Sequence, residues 1–125
     1  MIADANSINI LNHTIMSTNF RNNMREVMKN AHRFFKVTGE SFSECLKRAW
    51  VVYKLSKAMK VKTVQFFYQK VSGEIRQAFG TMREEVIHDK VKGTGKVKND
   101  DMFTYWDTEK GAFRSFKKFN LIRIA

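Results

Sequence analysis

The chain has 125 residues, enough for one small domain with a modest hydrophobic core, and its 43% share of hydrophobic residues excludes a disordered polypeptide. Lysine and arginine outnumber aspartate and glutamate by 23 to 12, and the net charge of +11 makes DNA or RNA the leading class of partner, ahead of an acidic protein. The basic residues form no single block and no stretch approaches the length of a membrane span, so we expect a cytoplasmic protein that does not bind membranes.

The first third of the chain predicts helices. Residues 1–20 show no sustained hydrophobic period, and we predict a flexible N-terminal arm there. From Asn23 on, apolar residues recur at the spacing of one helical face until Gly39, which can adopt the left-handed conformation that ends a helix. Ser41, with Glu44 three residues later, predicts the start of a second helix that runs to about Met59.

The two helices predict a helical hairpin over residues 21–60. The polar face of the first helix carries a basic stripe that includes Arg25, Lys29 and Arg33, which are candidates for phosphate contacts. A DNA-reading helix-turn-helix is the alternative architecture. The bulky Phe35 beside the turn and the length of the second helix disfavour it.

The second half of the chain predicts strands. Val64, Phe66 and Tyr68 alternate with polar residues, the turn "SGE" follows, and "IRQAFGTM" returns as a second strand. A short helical stretch, "REEVIHD", then precedes another hairpin, formed by "MFTYWD", the turn "TEKG" and "AFRSF", and a 3₁₀ turn leads to a last strand, "LIRIA". The prediction is an α+β protein in which the helical hairpin precedes a small five-stranded SH3/Sm-like antiparallel barrel over residues 61–125, with an edge strand that can pair across a homo-oligomer.

A set of residues in the second half of the chain forms a distinctive pattern: Phe66-x-Tyr68, Gly73-x-Ile75-Arg76, Gly80-Thr81, Tyr105, Asp107, Glu109, Lys110, Gly111, Arg114, Ser115, Phe116 and Asn120. With this pattern, residues 62–125 resemble the WYL-type, Sm-like SH3 β-barrel family of Bacteroides species and their phages. The helical segment "FFKVTGESFSECLKRAWVVYKL" is similar to a stretch that recurs in small phage proteins. The resemblance implies a phage-encoded or phage-derived protein whose broader relatives are regulators that bind nucleic acid or ligands. It assigns no catalytic residue.

The segment "HDKVKGTGKVKND" (residues 88–100) invites comparison with a phosphate-binding loop. It fails as a nucleotide-binding P-loop, because Lys90 stands where the motif needs glycine and Val97 where it needs a hydroxyl. What remains is a glycine-containing loop that offers cations to phosphates or is simply a solvated surface. Its candidate phosphate-binding residues are Lys90, Lys92, Lys96 and Lys98.

Chemistry other than binding finds little support in the sequence. The three histidines lie far apart, so we expect neither a metal site nor a catalytic base beside a nucleophile, and we predict no enzyme and no cofactor. Aromatic residues are interleaved with lysines and arginines on the predicted β-strands, and this pattern is a stronger indication of function. Small barrels use such a combination to bind single-stranded nucleic acid. Phe67, Tyr105 and Phe113 are candidates for base stacking, and the candidate phosphate-binding residues are Arg76, Arg114, Lys117 and Lys118.

These observations predict a small basic nucleic-acid-binding regulatory protein that contacts the phosphate backbone through the lysine-rich loop and the barrel surface. The alternative is a phage-type protein-binding inhibitor or adaptor that acts on a host defence or transcription complex, docking on an acidic partner.

Overall fold

The computed structural model of the protein describes residues 5–90 and 99–125, with side chains from residue 19 onward. Two helices precede five strands, as the sequence predicts. The elements are α1 (Ala5–Thr38), α2 (Phe42–Met59), β1 (Val64–Gln69), β2 (Ile75–Thr81), α3 (Glu84–Ile87), β3 (Met102–Asp107), β4 (Ala112–Lys117), a 3₁₀ turn (Lys118–Asn120) and β5 (Leu121–Ile124). In the described part of the chain, no helix combines the length and the apolar character needed to cross a bilayer.

Helix α1 is longer than the sequence predicts. It begins at Ala5, so residues 5–20, where we predict a flexible arm without a helical period, are helical, and Asn23 lies inside the helix rather than at its start. The reason is that residues 1–38 contain neither glycine nor proline, so no helix breaker interrupts the backbone hydrogen bonds even where the apolar period is lost.

The junction between the two helices follows the predicted turn chemistry. Gly39 has a φ of 71° and ends α1, and its N–H donates to the Phe35 carbonyl over 3.1 Å. The Ser41 hydroxyl accepts a hydrogen bond of 3.2 Å from the Glu44 N–H, which caps α2. The helices pack as a hairpin whose contact face is buried. That face is formed by Val27, Ala31 and Phe34 of α1 and by Cys45, Ala49 and Val52 of α2.

The strands form one antiparallel sheet in the order β4-β3-β2-β1-β5, so β4 and β5 are the edge strands. The predicted alternation is present in β1, where Val64, Phe66 and Tyr68 are buried. The turns of both hairpins contain glycines with positive φ, Gly73 at 95° and Gly111 at 63°. The buried aromatic residues of the strands contact one another, with the Phe66 ring 5.0 Å from Tyr105 and 5.5 Å from Phe116 between centroids, in agreement with the core of the predicted barrel.

The helical hairpin and the barrel share a single core. The Met59 carbonyl at the end of α2 accepts hydrogen bonds from the Met82 N–H (2.9 Å) and the Thr81 hydroxyl (3.2 Å). Nearby, a Cβ atom on Gly80 would lie 2.5 Å from a Tyr105 ring carbon and 3.1 Å from the Met59 methyl. The end of α2 is thus held against the end of β2 by these hydrogen bonds, and the Gly80 backbone packs closely against the side chains of Tyr105 and Met59.

Candidate nucleic-acid interface

Two of the three candidate residues of the basic stripe on α1 are paired with carboxylates that precede β3. The Arg33 guanidinium donates two hydrogen bonds to Asp101, of 3.0 and 2.8 Å, and Lys29 Nζ lies 3.7 Å from an Asp100 oxygen. The hydrogen bonds from Arg33 hold the pKa of Asp101 below its usual value. Arg25 is exposed and has no carboxylate within 4 Å among the described side chains. Two of the three predicted contacts on this helix therefore join α1 to the start of β3.

Arg76 does not present its charge to solvent. Its side chain is 16% exposed, and its Nη2 donates to Asp107 Oδ2 over 3.1 Å. Asp107 is itself buried, and its other oxygen accepts hydrogen bonds of 3.0 Å from the backbone N–H groups of Glu109 and Lys110 in the β3–β4 turn. A buried carboxylate thus already pairs with this guanidinium, and the phosphate contact of Arg76 stays a prediction.

Tyr105 is also buried, so the predicted base stacking by this residue is wrong. Its ring has no exposed surface, and its hydroxyl shares a hydrogen bond of 3.2 Å with the Tyr68 hydroxyl. Burial, with a further contribution from this hydrogen bond, raises the pKa of Tyr105 well above its ordinary value. The other two predicted rings are accessible in part, Phe67 beneath the Arg123 guanidinium at 4.4 Å and Phe113 at the surface of β4.

Only the ends of the lysine-rich loop fall within the described residues. Lys92, Lys96 and Lys98 lie outside them. Lys90 Nζ lies 3.3 Å from an Asp89 oxygen and 5.2 Å from the centroid of the Trp106 ring. The hydrogen bond from Lys90 lowers the pKa of Asp89. The loop thus leaves the short helix α3 beside an aromatic side chain of β3.

Trp106, which is partly buried, and Phe113, which is exposed, form an aromatic pair at the end of the second hairpin. They are register partners on β3 and β4, and their ring centroids lie 5.0 Å apart at an interplanar angle of 79°. Phe113 is 36% exposed. The sequence analysis missed Trp106, although the alternation of β3 and the four-residue turn place it opposite Phe113, on the other face from Tyr105. A ring of a ligand could contact the edge of one of these side chains and the face of the other.

The aromatic pair lies at one end of a surface that continues along the hairpin. This surface, the β3–β4 face, consists of the outward side chains of both strands: Met102, Thr104, Trp106, Phe113, Ser115 and Lys117. The hydroxyls of Thr104 and Ser115 share a hydrogen bond of 2.8 Å at its centre. None of these six residues is acidic, so the face has positive, aromatic and hydroxyl groups but no negative charge.

At the other end of the β3–β4 face lies a cleft of about 210 Å³, where β4 passes the turn between β1 and β2. We call it the seam cleft. It is lined by Tyr68, Gln69, Lys70, Val71, Met102, Arg114, Ser115, Phe116, Lys117 and Asn120. Three of these residues are cations and none is a carboxylate, and the stacked rings of Tyr68 and Phe116, with centroids 4.6 Å apart, support the cleft from inside.

The cations of the seam cleft differ in how far they are neutralised. Lys70 lies 3.7 Å from Glu74, and Arg114 lies 3.7 Å from Asp107, which already binds Arg76. Lys117 is exposed and has no carboxylate within 4 Å among the described side chains, and its Nζ lies 5.7 Å from the Phe119 ring centroid. The cleft therefore joins two predicted phosphate-binding residues, Arg114 and Lys117, to Lys70, which the sequence analysis missed.

Lys118 follows in the 3₁₀ turn but does not line the cleft. Its backbone N–H donates to the Asp101 carbonyl over 2.9 Å, which places it beside the contact between α1 and the barrel. The described residues contain no group of three histidine, cysteine, aspartate or glutamate side chains that could hold a metal ion.

The strand order, the two tight hairpins and the 3₁₀ turn before β5 define a small SH3-like barrel protein with an N-terminal helical hairpin. A comparison with protein-family models matches residues 52–122, more than half of the chain, to the family described as WYL_2, Sm-like SH3 beta-barrel fold. The chain belongs to this family, which confirms the family resemblance, while the origin in Bacteroides or their phages stays a prediction. Comparisons with curated proteins and with solved structures found no match to the chain.

Proposed function

We propose that this protein binds single-stranded nucleic acid along the β3–β4 face, with bases against the aromatic pair and backbone phosphates at the seam cleft. One observation carries the proposal. A cleft lined by three cations and no carboxylate lies at one end of a face whose other end holds the partly buried Trp106 and the exposed Phe113. Stacking platforms beside a positive groove are the combination that binds single strands without reading their sequence.

The charge of the whole chain supports the same partner. Against a net charge of +11, the described acidic residues pair mainly with α1, α2 and the barrel interior, and none lies on the β3–β4 face. A phosphate backbone would therefore meet no carboxylate on this face, and Lys117 at its end has none within 4 Å among the described side chains. The unpaired bases of a single strand are free to reach the rings, whereas bases inside a duplex are not.

The first experiment measures fluorescence anisotropy of labelled oligo-dT and oligo-U with the full chain, at about 50 mM salt and above. We expect binding whose logarithm falls with the logarithm of salt with a slope of about −3 to −5, the value for four to seven neutralised phosphates on a single strand. Binding of a duplex of the same sequence should be weaker. No binding at the lowest salt would refute the proposal.

Two variants locate the site, each with a matched control. Lys117→Gln should weaken binding several-fold and reduce the salt slope by about 0.7, whereas Lys54→Gln removes the same charge from α2, which contributes nothing to the cleft, and should leave both nearly unchanged. Phe113→Ala should cost about 1–3 kcal/mol of binding with an unchanged salt slope. Its control is Phe20→Ala, which removes another exposed ring, on α1.

A protein partner is the second candidate function, of the inhibitor or adaptor kind. The observation that favours it is the exposure of apolar side chains around the first hairpin, with Val71 84% and Ile75 68% exposed. Affinity purification from a host lysate, with and without nuclease, separates the two functions. A protein that stays bound after nuclease treatment, and is lost in Ile75→Ser, would support the adaptor, whereas loss of all partners with nuclease would support nucleic-acid binding.

A further inference from the structure

We propose that the seam cleft receives the terminal phosphate monoester of a strand, so that the protein prefers phosphorylated strand ends. This inference rests on the proposed function and adds a chemical class of ligand to one part of the same surface. It starts from the size, the charge and the hydrogen-bond donors of the cleft.

The size of the cleft limits what it can hold. A volume of about 210 Å³ is below the range of about 300–1,000 Å³ that is usual for small-molecule pockets. The β1–β2 turn forms one wall through Lys70 and Val71, and the 3₁₀ turn contributes Asn120 on the other side. A phosphate group with part of its sugar fits such a space, whereas a whole nucleotide with its base does not, and the base is left to the neighbouring β3–β4 face.

The charge of the cleft matches a dianion better than a monoanion. Lys70, Arg114 and Lys117 line it, and two carboxylates lie within 4 Å of them among the described side chains, Glu74 beside Lys70 and Asp107 beside Arg114. Counting Arg76, which neutralises Asp107 from inside the barrel, four cations stand against two carboxylates and leave a surplus of two positive charges. A phosphate monoester carries about −1.5 to −2 at pH 7, while each diester inside a strand carries about −1.

The donors of the cleft point to the same ligand class. A terminal phosphate presents three free oxygens, and charged donors bind them more strongly than neutral ones do. Arg114 and Lys117 supply charged donors from β4, and Lys70 supplies one from the turn. The Asn120 amide makes no hydrogen bond among the described side chains and is half-buried, so it is free to donate as well. A diester in mid-strand has only two free oxygens and would leave part of this set unused.

The test uses the full chain and two pairs of short single strands, one pair with or without a phosphate at the 5′ end and one with or without it at the 3′ end, each labelled at the opposite end. We expect the phosphorylated member of at least one pair to bind about tenfold more tightly, as charge-assisted hydrogen bonds to one additional free oxygen and charge would give. Inorganic phosphate should compete with that strand and not with the unphosphorylated one.

Variants separate the cleft from the rest of the surface. In Lys117→Gln and in Lys70→Gln the preference for the phosphorylated end should fall to about twofold or less, whereas Lys54→Gln should keep it. Phe113→Ala should weaken both strands equally and leave the ratio unchanged. Equal binding of phosphorylated and unphosphorylated strands by the unaltered protein would overturn the inference and leave the proposed function standing. No binding by any strand would overturn both.

Discussion

The buried carboxylate of Asp107 binds Arg76 inside the barrel and Arg114 at the seam cleft, so its removal should lower the free energy of unfolding substantially. The carboxylate is 1% exposed and contacts Arg76 at 3.1 Å and Arg114 at 3.7 Å. In Asp107→Asn the two backbone N–H groups of the turn keep an acceptor, but Arg76 loses its negative partner while it stays mostly buried. Loss of one member of a buried ion pair costs about 3–5 kcal/mol.

The expected loss in the free energy of unfolding can be divided between the contacts of Asp107. Arg114 is 39% exposed, so water replaces most of its interaction and it adds little, and the cost comes mainly from Arg76. Asp107→Ala also removes the acceptor for the Glu109 and Lys110 N–H groups, which lie in an exposed turn and add about 1 kcal/mol together. We therefore expect Asp107→Asn to lower the free energy of unfolding by about 3 kcal/mol and Asp107→Ala by about 4.

Urea denaturation followed by circular dichroism measures both values. Glu109→Gln is the matched control, because it removes an exposed carboxylate from the same turn, and it should change the free energy of unfolding by less than about 0.5 kcal/mol. In a double-mutant cycle, Arg76→Met should cost clearly less in the Asp107→Asn background than in the unaltered protein. The reasoning would be refuted if Asp107→Asn were no more destabilising than the Glu109 control.

Three further changes test other contacts of the fold. Gly80→Ala should destabilise by about 3 kcal/mol in the same urea assay, since its Cβ would lie 2.5 Å from the buried Tyr105 ring, and a loss below about 1 kcal/mol would contradict the packing described. Ser41→Ala removes the cap of α2 and should cost about 1 kcal/mol, measured as a lower urea midpoint; an unchanged midpoint would count against the cap. Arg33 lowers the pKa of Asp101 in the folded chain, so the stabilisation from this ion pair is present above the ordinary carboxyl pKa of about 3.9 and is lost as the pH falls through the lowered value. The difference in urea midpoint between the protein and Asp101→Asn should therefore begin to shrink near pH 4 and vanish only below the lowered pKa of Asp101. A difference that persisted at lower pH would exclude this ion pair as its cause.

Local patterns in the sequence predicted the elements of the fold well. The Ser41 cap, the positive φ at Gly39 and Gly111, and the alternation of β1 each depend on a few neighbouring residues, and all are present in the structure. The start of α1 was missed because a helix without a sustained apolar period leaves no pattern to read, only an absence of helix breakers.

The candidate site was harder to predict, because its residues meet only through the topology. Alternation places Tyr105 and Trp106 on opposite faces of β3 but does not determine which of the two faces the core, and it is Tyr105, the predicted stacking residue, that is buried. Likewise, nothing in the sequence distinguishes Arg33 and Arg76, which are paired with carboxylates, from the other basic residues. Their acids lie 68 and 31 residues away, and only the folded chain brings them together. Lys70 joins the cleft for the same reason, through the passage of β4 beside the first turn.

The family match begins at Val52, inside α2, yet the last turn of that helix has its Met59 carbonyl bound to both Thr81 and Met82 of the barrel. The helical hairpin and the strands therefore fold as one unit with a common core. A fragment limited to residues 52–122 would lose Cys45 and Ala49, which belong to the common core, and would expose the apolar surface that they cover. It would also lose the last two residues of β5, which pair with β1. Anyone who wishes to transplant this barrel into another protein must carry the preceding helix pair with it.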